Sequence, residues 1–595
     1  MRNKIRAEEA KTIPGLFRER VKRSPDKVAY QYFDDVRNAW QAITWKEMAV
    51  AAAQWQSALE KENLSPGDRV GLMMRNCCEW IMFEMAALGM GLVTVPLNTH
   101  NHPENVAHIL KDADIRFLLI QGESQEKFLQ PLRNDFPELR VVRLDEVGAW
   151  LPEEYDTALC DKESKPNDLA TIFYTSGTTG HSKGAMVSHK NILSNAEATA
   201  SCITHTEKDV LVAFVGGYTL AMLEGIAIAY PRSFDDLRRI QPTVIVSATG
   251  LYEYVHAQIQ LSFSEKSWWA RHIFERTIDI GWRRFEYQQG RGKWHPEFLL
   301  WPLLDILIAR PIKQMFGGRV RCGFYAGAKL SSEISRTFIG LGFPLLNCYG
   351  QTEAGPVISM NRPDDNVPAS VGKPLSGVNV RVEENGELLA KGPGVMMGYL
   401  NNPATTEAAI DKDGWLQTGD MVRVDAEGRI FFLGRISDII FIQNGEKVSP
   451  AEAEAEITAD LLFDQALVVG KERPFLTALI VLNDEHWKKL AERLKLNPAD
   501  PLALEEKVAE DAVLARVAEK LRDFPDHARI RRVTLLTDHW TVESGLLTPS
   551  MKLRRTKLFA RYAGEIEHKY KSEPQINADT RGTMDNAFFP SPLNT

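Results

Sequence analysis

The sequence has few of the features that mark membrane or secreted proteins. No stretch reaches the roughly 18 apolar residues that a bilayer span requires, and the first residues lack the apolar run of a signal peptide. The stretch 85–95 comes nearest, but it contains Gly89 and Gly91 and predicts a buried helix followed by a strand. We therefore expect a cytoplasmic protein that does not cross a membrane.

Cysteine is also scarce, and positive charge is not in excess. Six cysteines in 595 residues form no CxxC pair and have no companion histidines at metal-ligand spacing, which is typical of reduced core thiols in a cytoplasmic protein. The formal net charge is −8, so no basic excess indicates a nucleic-acid partner. The length predicts two or more domains. The cysteines are Cys77, Cys78, Cys160, Cys202, Cys322 and Cys348.

The order of apolar patterns predicts an α/β fold. Helical and strand patterns alternate over the first 160 residues and resume after Leu169, which indicates a large N-terminal region of mostly parallel sheets covered by helices. From Val378, short alternating strands separated by glycine and asparagine turns predict a small antiparallel barrel or meander. A small α+β C-terminal unit follows, and the polar segment 563–595 is expected to be a loose tail.

A loop rich in glycine and hydroxyl groups follows an apolar strand at 174–184. Its glycines, Gly177, Gly180 and Gly184, let the backbone turn sharply and bring N–H groups close to an anion, while Lys183 adds positive charge. The loop fits neither GxxxxGK[ST] nor GxGxxG, which disfavours P-loop and dinucleotide-binding folds. The alternative is a surface loop that binds no ligand.

This loop is similar to the signature loop of the acyl-adenylate-forming (AMP-binding) superfamily, and the chain most resembles its long-chain fatty acyl-CoA synthetases. The resemblance extends roughly from Ile13 to Tyr562, and Ser182 stands where the family usually has proline. It implies Mg²⁺ as cofactor, with ATP and coenzyme A as co-substrates. The loop residues that it implies for ATP binding are Thr175, Ser176, Gly177, Thr178, Thr179, Gly180 and Lys183.

Two further segments resemble the family's adenine and phosphate contacts. The resemblance of 349–355 implies that Tyr349 stacks on adenine, that Thr352 contacts the α-phosphate and that Glu353 is the Mg²⁺ ligand, a role that suits a carboxylate. On its own, a glutamate after a strand is more often a solvated loop residue. The other segment, 325–330, resembles the stretch that lies along the adenine. The remaining implied ATP contacts are Gly327 and Ala328 in that segment and Gly350 in the first.

Three residues farther along the chain complete the implied site. Asp420, in a GWLQTGD motif, matches the family aspartate that holds both ribose hydroxyls, and Arg435 matches its second ribose contact. Lys552 matches the catalytic lysine that bridges the acid and the α-phosphate. The alternatives are a turn residue for Asp420 and a solvated cation for Lys552.

The resemblance also implies a second reaction step that follows a rotation of the C-terminal domain. It places an N-terminal domain at 1–434, a hinge at 435–439 with Ser437 as pivot, and a mobile domain at 440–562. The loop 444–450 resembles the one that lines the coenzyme A channel. No serine-bearing carrier sequence follows the lysine motif, which favours free coenzyme A as the acceptor.

The segment 251–321 indicates the kind of acid and a membrane contact. It resembles long-chain relatives, and its tryptophans alternate with arginines around an apolar stretch, so that 263–312 could contact a lipid headgroup layer at the inner face of a membrane. The alternative is an ordinary amphipathic insert. One block departs from the family: residues 215–219 carry none of the usual Leu-Pro-Leu-x-His, and Ala248–Gly250 replace the usual Val-Pro-Arg.

These patterns leave three hypotheses. The leading one is an AMP-forming long-chain fatty acid–CoA ligase, whose partners are fatty acid, ATP and coenzyme A, with Lys552, Thr352 and Glu353 as its catalytic residues. The second is an acyl-AMP ligase that delivers to a separate carrier protein. The third, which the missing histidine block motivates, is a catalytically impaired acyl- or nucleotide-binding relative.

Overall fold

The computed structural model describes residues 3–160, 162, 164–175, 182–214, 217–264, 266–442, 446–548 and 551–571. Its strands, in chain order, are β1 Val28–Asp34, β2 Ala39–Thr44, β3 Arg69–Met73, β4 Val93–Pro96, β5 Ile115–Ile120, β6 Arg140–Arg143, β7 Leu169–Thr175, β8 Lys183–Ser188, β9 Val210–Ala213, β10 Ala227–Ala229, β11 Val244–Ala248, β12 Cys322–Ala326, β13 Leu345–Tyr349, β14 Ser359–Met360, β15 Lys373–Pro374, β16 Asn379–Val382, β17 Glu387–Lys391, β18 Gly398–Tyr399, β19 Leu416–Val424, β20 Ile430–Arg435, β21 Ile440–Phe441, β22 Lys447–Val448, β23 Phe463–Val469, β24 Leu476–Leu482 and β25 Ile530–Leu536.

The α-helices, in chain order, are α1 Ala7–Ala10, α2 Ile13–Arg23, α3 Trp45–Leu59, α4 Cys78–Gly89, α5 Pro103–Asp112, α6 Glu123–Leu129, α7 Val147–Trp150, α8 His189–Ala200, α9 Tyr218–Glu224, α10 Leu237–Ile240, α11 Thr249–Ser264, α12 Trp268–Gln288, α13 Trp301–Leu304, α14 Arg310–Met315, α15 Ser332–Gly340, α16 Pro403–Ala409, α17 Pro450–Ile457, α18 Asp484–Arg493, α19 Lys507–Lys520, α20 Arg555–Arg561 and α21 Ala563–Lys571. Among the helices of this described part, none is long and apolar enough to cross a membrane.

Two large sheets form the N-terminal unit. A nine-stranded sheet has the order β15-β14-β13-β12-β11-β9-β10-β1-β2, and a seven-stranded sheet has the order β18-β8-β7-β4-β3-β5-β6. The inner strands are parallel, and the edge pairings are antiparallel except for β5 with β6, which is parallel. Separate apolar clusters lie on the two faces of the seven-stranded sheet, around Phe117 and around Ile109, because helices cover both sides. The predicted α/β class with mostly parallel sheets is confirmed.

Local chemistry explains where the elements begin. Helix α3 starts after Thr44, whose hydroxyl accepts from the Glu47 backbone N–H while the Glu47 carboxylate accepts from the Thr44 N–H at 2.8 Å. The residues before Thr44 form strand β2 in an antiparallel pair with β1, a hairpin that the sequence pattern did not indicate. The glycine-punctuated segment from Val378 forms the four-stranded antiparallel sheet β16-β17-β19-β20.

A third unit follows β20. Strand β24 is buried along its whole length because it lies between antiparallel β23 and parallel β25, with α17 and α19 in the same apolar cluster. The expectation of a loose tail from 563 is wrong for Ala563–Lys571, which form helix α21. Ile566 and Tyr570 of that helix are buried against Trp540, so the apolar contact holds the segment in place. Residues 572–595 lie outside the described residues.

The cysteines are free thiols, as the sequence predicts, but they are not all in the core. Cys78, Cys202 and Cys322 are buried, whereas Cys160 is exposed. Burial raises the pKa of the Cys322 thiol to about 12, so this group stays protonated in the core.

Candidate active site

The phosphate-type loop joins two antiparallel strands. Thr175 ends β7 directly opposite Lys183 at the start of β8, so both side chains stand at the mouth of the loop. The residues between them, Ser176, Gly177, Thr178, Thr179 and Gly180, lie outside the described residues. Gly184 is needed for packing, since a Cβ there would lie 2.8 Å from Ile172 Cγ2 and 3.0 Å from the Tyr174 ring. The sequence interpretation had assigned Gly184 to the turn itself.

Ser182, which replaces the family's proline, is an anchored residue. It is buried, its Oγ donates to Asn105 Oδ1 at 2.7 Å, and its carbonyl oxygen lies 2.9 Å from His108 Nε2. Helix α5 carries both partners and therefore holds the outgoing end of the loop. A hydrogen bond thus takes the place of the ring that would otherwise restrict this backbone position.

Glu353 connects the loop to two other parts of the chain. It lies in the 3-10 turn Thr352–Ala354 after β13, and it is buried. Its Oε1 accepts from the Tyr399 hydroxyl at 2.8 Å and from Thr175 Oγ1 at 3.4 Å, while Lys183 Nζ lies 5.4 Å from the centre of the Tyr399 ring. Three sequence-predicted residues, Thr175, Lys183 and Glu353, are therefore brought together by Tyr399.

Sequence reasoning missed Tyr399. It lies in the two-residue edge strand β18, which pairs with β8 through Tyr399 and Ala185. Burial and the Glu353 charge both raise the pKa of its hydroxyl, so Tyr399 remains a donor at neutral pH. No local pattern in the sequence signals this role, because the contact depends on a pairing between distant segments.

Asp420 and Arg435 face each other across strands β19 and β20. Asp420 is 2% exposed, and Arg435 Nε lies 3.0 Å from its Oδ1. The Tyr349 hydroxyl donates to Asp420 Oδ2 at 2.7 Å. Burial raises the pKa of Asp420, while the charge of Arg435 and the bond from Tyr349 act in the opposite direction. Within the described residues Oδ1 is buried, accepts no hydrogen bond of good geometry and faces the Arg435 guanidinium.

Tyr349 is held on both sides. Its ring packs against Phe432 with a centroid distance of 5.8 Å, and the residue is buried. It therefore positions Asp420, and its stacking on adenine stays a prediction. The neighbouring Gly350 serves close packing, because a Cβ there would lie 2.0 Å from the Pro356 carbonyl oxygen. Gly327 and Ala328 are exposed at the end of β12, and Gly327, at φ +93°, has open space around the Cβ position.

Lys552 of the C-terminal unit lies within electrostatic reach of Asp420, Glu353 and Arg435. A short turn presents it: Leu547 pairs with Leu553, and the Thr548 N–H donates to the Lys552 carbonyl at 2.8 Å. Desolvation lowers the pKa of Lys552 and the charge of Arg435 lowers it further, whereas Asp420 and Glu353 raise it. The ammonium is thus within electrostatic reach of the residues that the sequence had predicted for ribose and metal.

Contacts between the two units hold Lys552 in this position. Three links join α15 and the residues before it to the C-terminal unit: Lys329 to Glu452 at 2.5 Å, Lys520 to Glu333 at 2.7 Å, and the Ser332 N–H to Glu456 at 2.6 Å. Ser437 is exposed in the turn between β20 and β21, and its Oγ donates to Asp438 Oδ1 at 2.9 Å. Its role as pivot stays a prediction.

Arg555, three residues after Lys552 in the same basic run, is held by ion pairs. Its guanidinium donates to both carboxylate oxygens of Glu454, at 2.8 and 2.6 Å, and its Nε lies 3.6 Å from Asp438 Oδ2. This bidentate pair connects the lysine turn to the segment after β20. The described part of the chain holds no cluster of three His, Cys, Asp or Glu side chains that could bind a metal.

The donor set around Glu353 suits Mg²⁺ bound mainly by phosphates. A carboxylate with hydroxyl groups beside it supplies the hard oxygen ligands that Mg²⁺ prefers, and a single protein carboxylate is common where substrate phosphates and water supply the remaining ligands. Both hydrogen bonds that the Glu353 side chain accepts within the described residues engage Oε1. Glu353 would therefore hold the ion through Oε2 and neutralise charge on the phosphates.

Helix α4 carries a buried carboxyl group, that of Glu84, near the departure from the family pattern. Residues 215 and 216 are outside the described residues, but Tyr218 donates to Glu84 Oε1 at 3.0 Å and Trp80 Nε1 donates to Glu84 Oε2 at 3.1 Å. Burial raises the pKa of Glu84 to about 7. The sequence interpretation named neither Glu84 nor Tyr218 as a functional residue.

Two profiles from one enzyme family match most of the chain. The profile of the AMP-binding enzyme family matches residues 17–400, and that of the AMP-binding enzyme C-terminal domain matches 437–574. Long-chain-fatty-acid–CoA ligase FadD15 of Mycobacterium tuberculosis is 28% identical over 95% of this chain and 98% of its own length. The chloroplastic long-chain-fatty-acid–[acyl-carrier-protein] ligase AEE15 of Arabidopsis thaliana is 26% identical over 95% and 88%.

Solved structures share the fold. The anthranilate CoA ligase AuaEII, in complex with anthranoyl-AMP, superposes with a TM-score of 0.72 at 19% identity, over 95% of this chain and 100% of that chain. The O-succinylbenzoate coenzyme A synthetase of Bacillus subtilis, in complex with AMP, gives a TM-score of 0.67 at 20% identity over 91% and 97%.

Proposed function

Because the chain belongs to the AMP-binding enzyme family, we propose that it activates a long-chain fatty acid with ATP and then transfers the acyl group to coenzyme A. One observation carries the proposal. Lys552 of the C-terminal unit lies within electrostatic reach of Glu353 after β13, Asp420 in β19 and Arg435 at the end of β20. A cleft that combines a cation, a diol acceptor and a buried carboxylate is suited to a magnesium nucleotide.

In the first step the acid's carboxylate oxygen attacks the α-phosphorus of ATP. A carboxyl–phosphate bond forms, the bond to the β-phosphate oxygen breaks, and pyrophosphate leaves with the electron pair. Lys552 lowers the repulsion between the two anions and stabilises the charge that develops on the phosphoryl oxygens. Asp420, held by Arg435 and Tyr349, orients the ribose, and Thr352 donates to the α-phosphate. Bound Mg²⁺ would neutralise pyrophosphate charge beside Glu353.

In the second step the sulfur of coenzyme A attacks the acyl carbonyl, the thioester forms, and AMP leaves. Because Lys552 lies within electrostatic reach of Asp420 and Glu353 in the present arrangement, we expect the C-terminal unit to move before the thiol can enter. We place the hinge at 435–439, with Ser437 as pivot, because Ser437 is exposed and the segment begins at the last residue of β20. With this hinge, the N-terminal domain spans 1–434 and the mobile C-terminal domain spans 440–562.

A second candidate acceptor is a carrier protein, which the name of the Arabidopsis relative favours. The two functions share the adenylation step and differ only in the thiol. Free coenzyme A that accelerates acyl transfer supports the first function, whereas turnover that requires an acyl carrier protein supports the second.

The deciding experiment is ATP–pyrophosphate exchange across acids from acetate to oleate, followed by AMP release with and without coenzyme A. We expect exchange to be fastest with long-chain acids and AMP release to require coenzyme A. Exchange that peaks at an aromatic or short acid would contradict the proposed substrate. Tight ATP binding without exchange with any acid would instead favour the impaired-relative hypothesis, which rests on the departure at 215–219.

A further inference from the structure

Exposed large apolar side chains concentrate on one segment of the N-terminal unit. Of the 21 such residues in the described part of the chain, ten lie between 268 and 307. They are Trp268, Trp269, Ile273, Tyr287, Trp294, Leu299, Leu300, Leu303, Ile306 and Leu307. Scattered single apolar residues need no explanation, but so many in one short stretch of the chain indicate an interaction surface. We propose that residues 266–319, here called the insert surface, dock on an anionic lipid bilayer.

The apolar residues at the centre lie on one face of a helical run. A 3-10 turn at Pro296–Leu300 leads into α13, a π-helical turn at Asp305–Ala309 and α14. Leu300, Leu303 and Leu307 recur at intervals of three and four residues, the spacing of one helix face. The opposite face is packed: Ala309 and Ile312 belong to an apolar cluster under the nine-stranded sheet. The leucine face is therefore available to a partner.

The charge of the insert surface opposes that of the chain. Residues 266–319 contain ten Lys and Arg against five Asp and Glu, a net charge of +5, while the whole chain carries −8. Arg271 and Lys293 are exposed and pair with no carboxylate among the described residues. Lys293 adjoins Trp294, which is 55% exposed. Cations and tryptophans around an apolar face are the arrangement of helices that lie in the headgroup layer of anionic membranes.

These features favour a bilayer over a protein partner. A second copy would bring two surfaces of the same positive charge together, which costs free energy. Since no described helix could cross a membrane, the contact would be peripheral. The inference depends on the proposed function in one respect only, namely that the bilayer would supply the fatty acid substrate.

The first test is flotation of the full chain with vesicles of phosphatidylcholine alone or mixed with phosphatidylglycerol. We expect binding to the mixed vesicles that weakens as salt is raised. Leu303→Gln with Leu307→Gln should lower the partition coefficient at least about tenfold, since two apolar side chains no longer enter the acyl layer. Leu502→Gln is the matched control: Leu502 is 64% exposed, close to the 60% of Leu307, but lies in the C-terminal unit.

A charge variant gives the second test. Arg271→Glu with Lys293→Glu should lower partition into the mixed vesicles by at least about tenfold and leave binding to phosphatidylcholine unchanged. The proposal is overturned if the unaltered chain floats with neither vesicle, or if the leucine variant floats as well as the unaltered chain. A dimer in sedimentation velocity that the leucine variant dissociates would assign the surface to a second copy and overturn it as well.

Pyrophosphate exchange without vesicles separates this inference from the proposed function. The leucine and charge variants should exchange at the unaltered rate with a water-soluble medium-chain acid, because they touch no group in the cleft. An unaltered chain that binds vesicles but exchanges with no acid would leave the docking surface intact and remove the proposed activity.

Discussion

Asp420 and Glu84 are both buried carboxyl groups, 2% and 3% exposed, but their surroundings differ. Asp420 lies beside Arg435 and within reach of Lys552, whereas the hydrogen bonds to Glu84 come from the neutral donors Trp80 and Tyr218. Burial raises the pKa of both groups, and cations oppose the rise at Asp420, while Glu84 reaches about 7. A counter-charge keeps a buried acid available as an anion, and neutral donors alone do not.

The largest expected effect tests Lys552, which belongs to the charged surroundings of Asp420. Lys552→Ala should slow pyrophosphate exchange by about two to three orders of magnitude, because a placed donor to the developing phosphoryl charge is lost. Lys557→Ala, in the same basic run, is the control and should exchange at the normal rate. Thioester formation from supplied acyl adenylate should survive in both variants. Full exchange in Lys552→Ala would mean that the cleft is not catalytic.

The neutral surroundings of Glu84 predict that the free energy of unfolding depends on pH. The pKa of Glu84 is raised from 4.5 to about 7 in the folded chain, so its protonated form stabilises the fold below about 4.5 and this contribution is lost as pH rises through about 7. Compared with Glu84→Gln, the unaltered chain should lose about 3 kcal/mol of unfolding free energy between about pH 5 and pH 8.

Urea denaturation of both proteins at the two pH values measures this difference. Glu60→Gln, at an exposed position, is the control and should follow the unaltered chain at both values. If Glu84→Gln and the unaltered chain change in parallel with pH, Glu84 is ionised in the fold and the contrast with Asp420 fails.

A smaller effect tests the hydrogen bond that the Tyr349 hydroxyl donates to Asp420. Tyr349→Phe removes a hydrogen bond to a carboxylate, a contribution of about 1.5–3 kcal/mol, so KM for ATP should rise about tenfold or more while kcat changes little. Tyr30→Phe is the matched control, since the buried Tyr30 hydroxyl has no hydrogen-bond partner in the described part of the chain. An unchanged KM in Tyr349→Phe would show that Arg435 alone positions Asp420.

The smallest effect concerns the contacts that bring Lys552 to the cleft. The Lys520–Glu333 pair is partly exposed and contributes about 0.3–1 kcal/mol, so Lys520→Glu should slow adenylation about two- to fivefold and leave thioester formation unimpaired. Adding Glu333→Lys should restore the rate by reversing the pair. Lys489→Glu, in an exposed pair inside the C-terminal unit, should have no effect. Failure of the reversed pair to restore exchange would exclude a docking role.

The residues that sequence reasoning identified belong to motifs whose local pattern carries the chemistry. Asp420, Glu353 and Lys552 were predicted from segments far apart in the chain, and the structure brings them within electrostatic reach of one another. The order of strand and helix patterns likewise predicted the α/β class, because alternation of periods reflects burial on one or two faces.

The residues that were missed act through pairings that no local pattern reveals. Tyr399 contributes through an edge strand of two residues, and Glu84 through a partner 134 positions away. Strand β2 escaped notice because its residues run without a break into α3. Helix α21 carried a weak signal, Ile566 and Tyr570 four positions apart, within an otherwise polar segment.

Helix α21 has a consequence for protein engineering. Ile566 and Tyr570 share an apolar cluster with Leu547, one residue before Thr548, whose backbone binds that of Lys552. Trimming the chain to end before Ala563 would therefore unseat the turn that carries the lysine, although the cut falls outside every motif. Expression plasmids should retain the chain through Lys571, and fusion partners belong beyond that point.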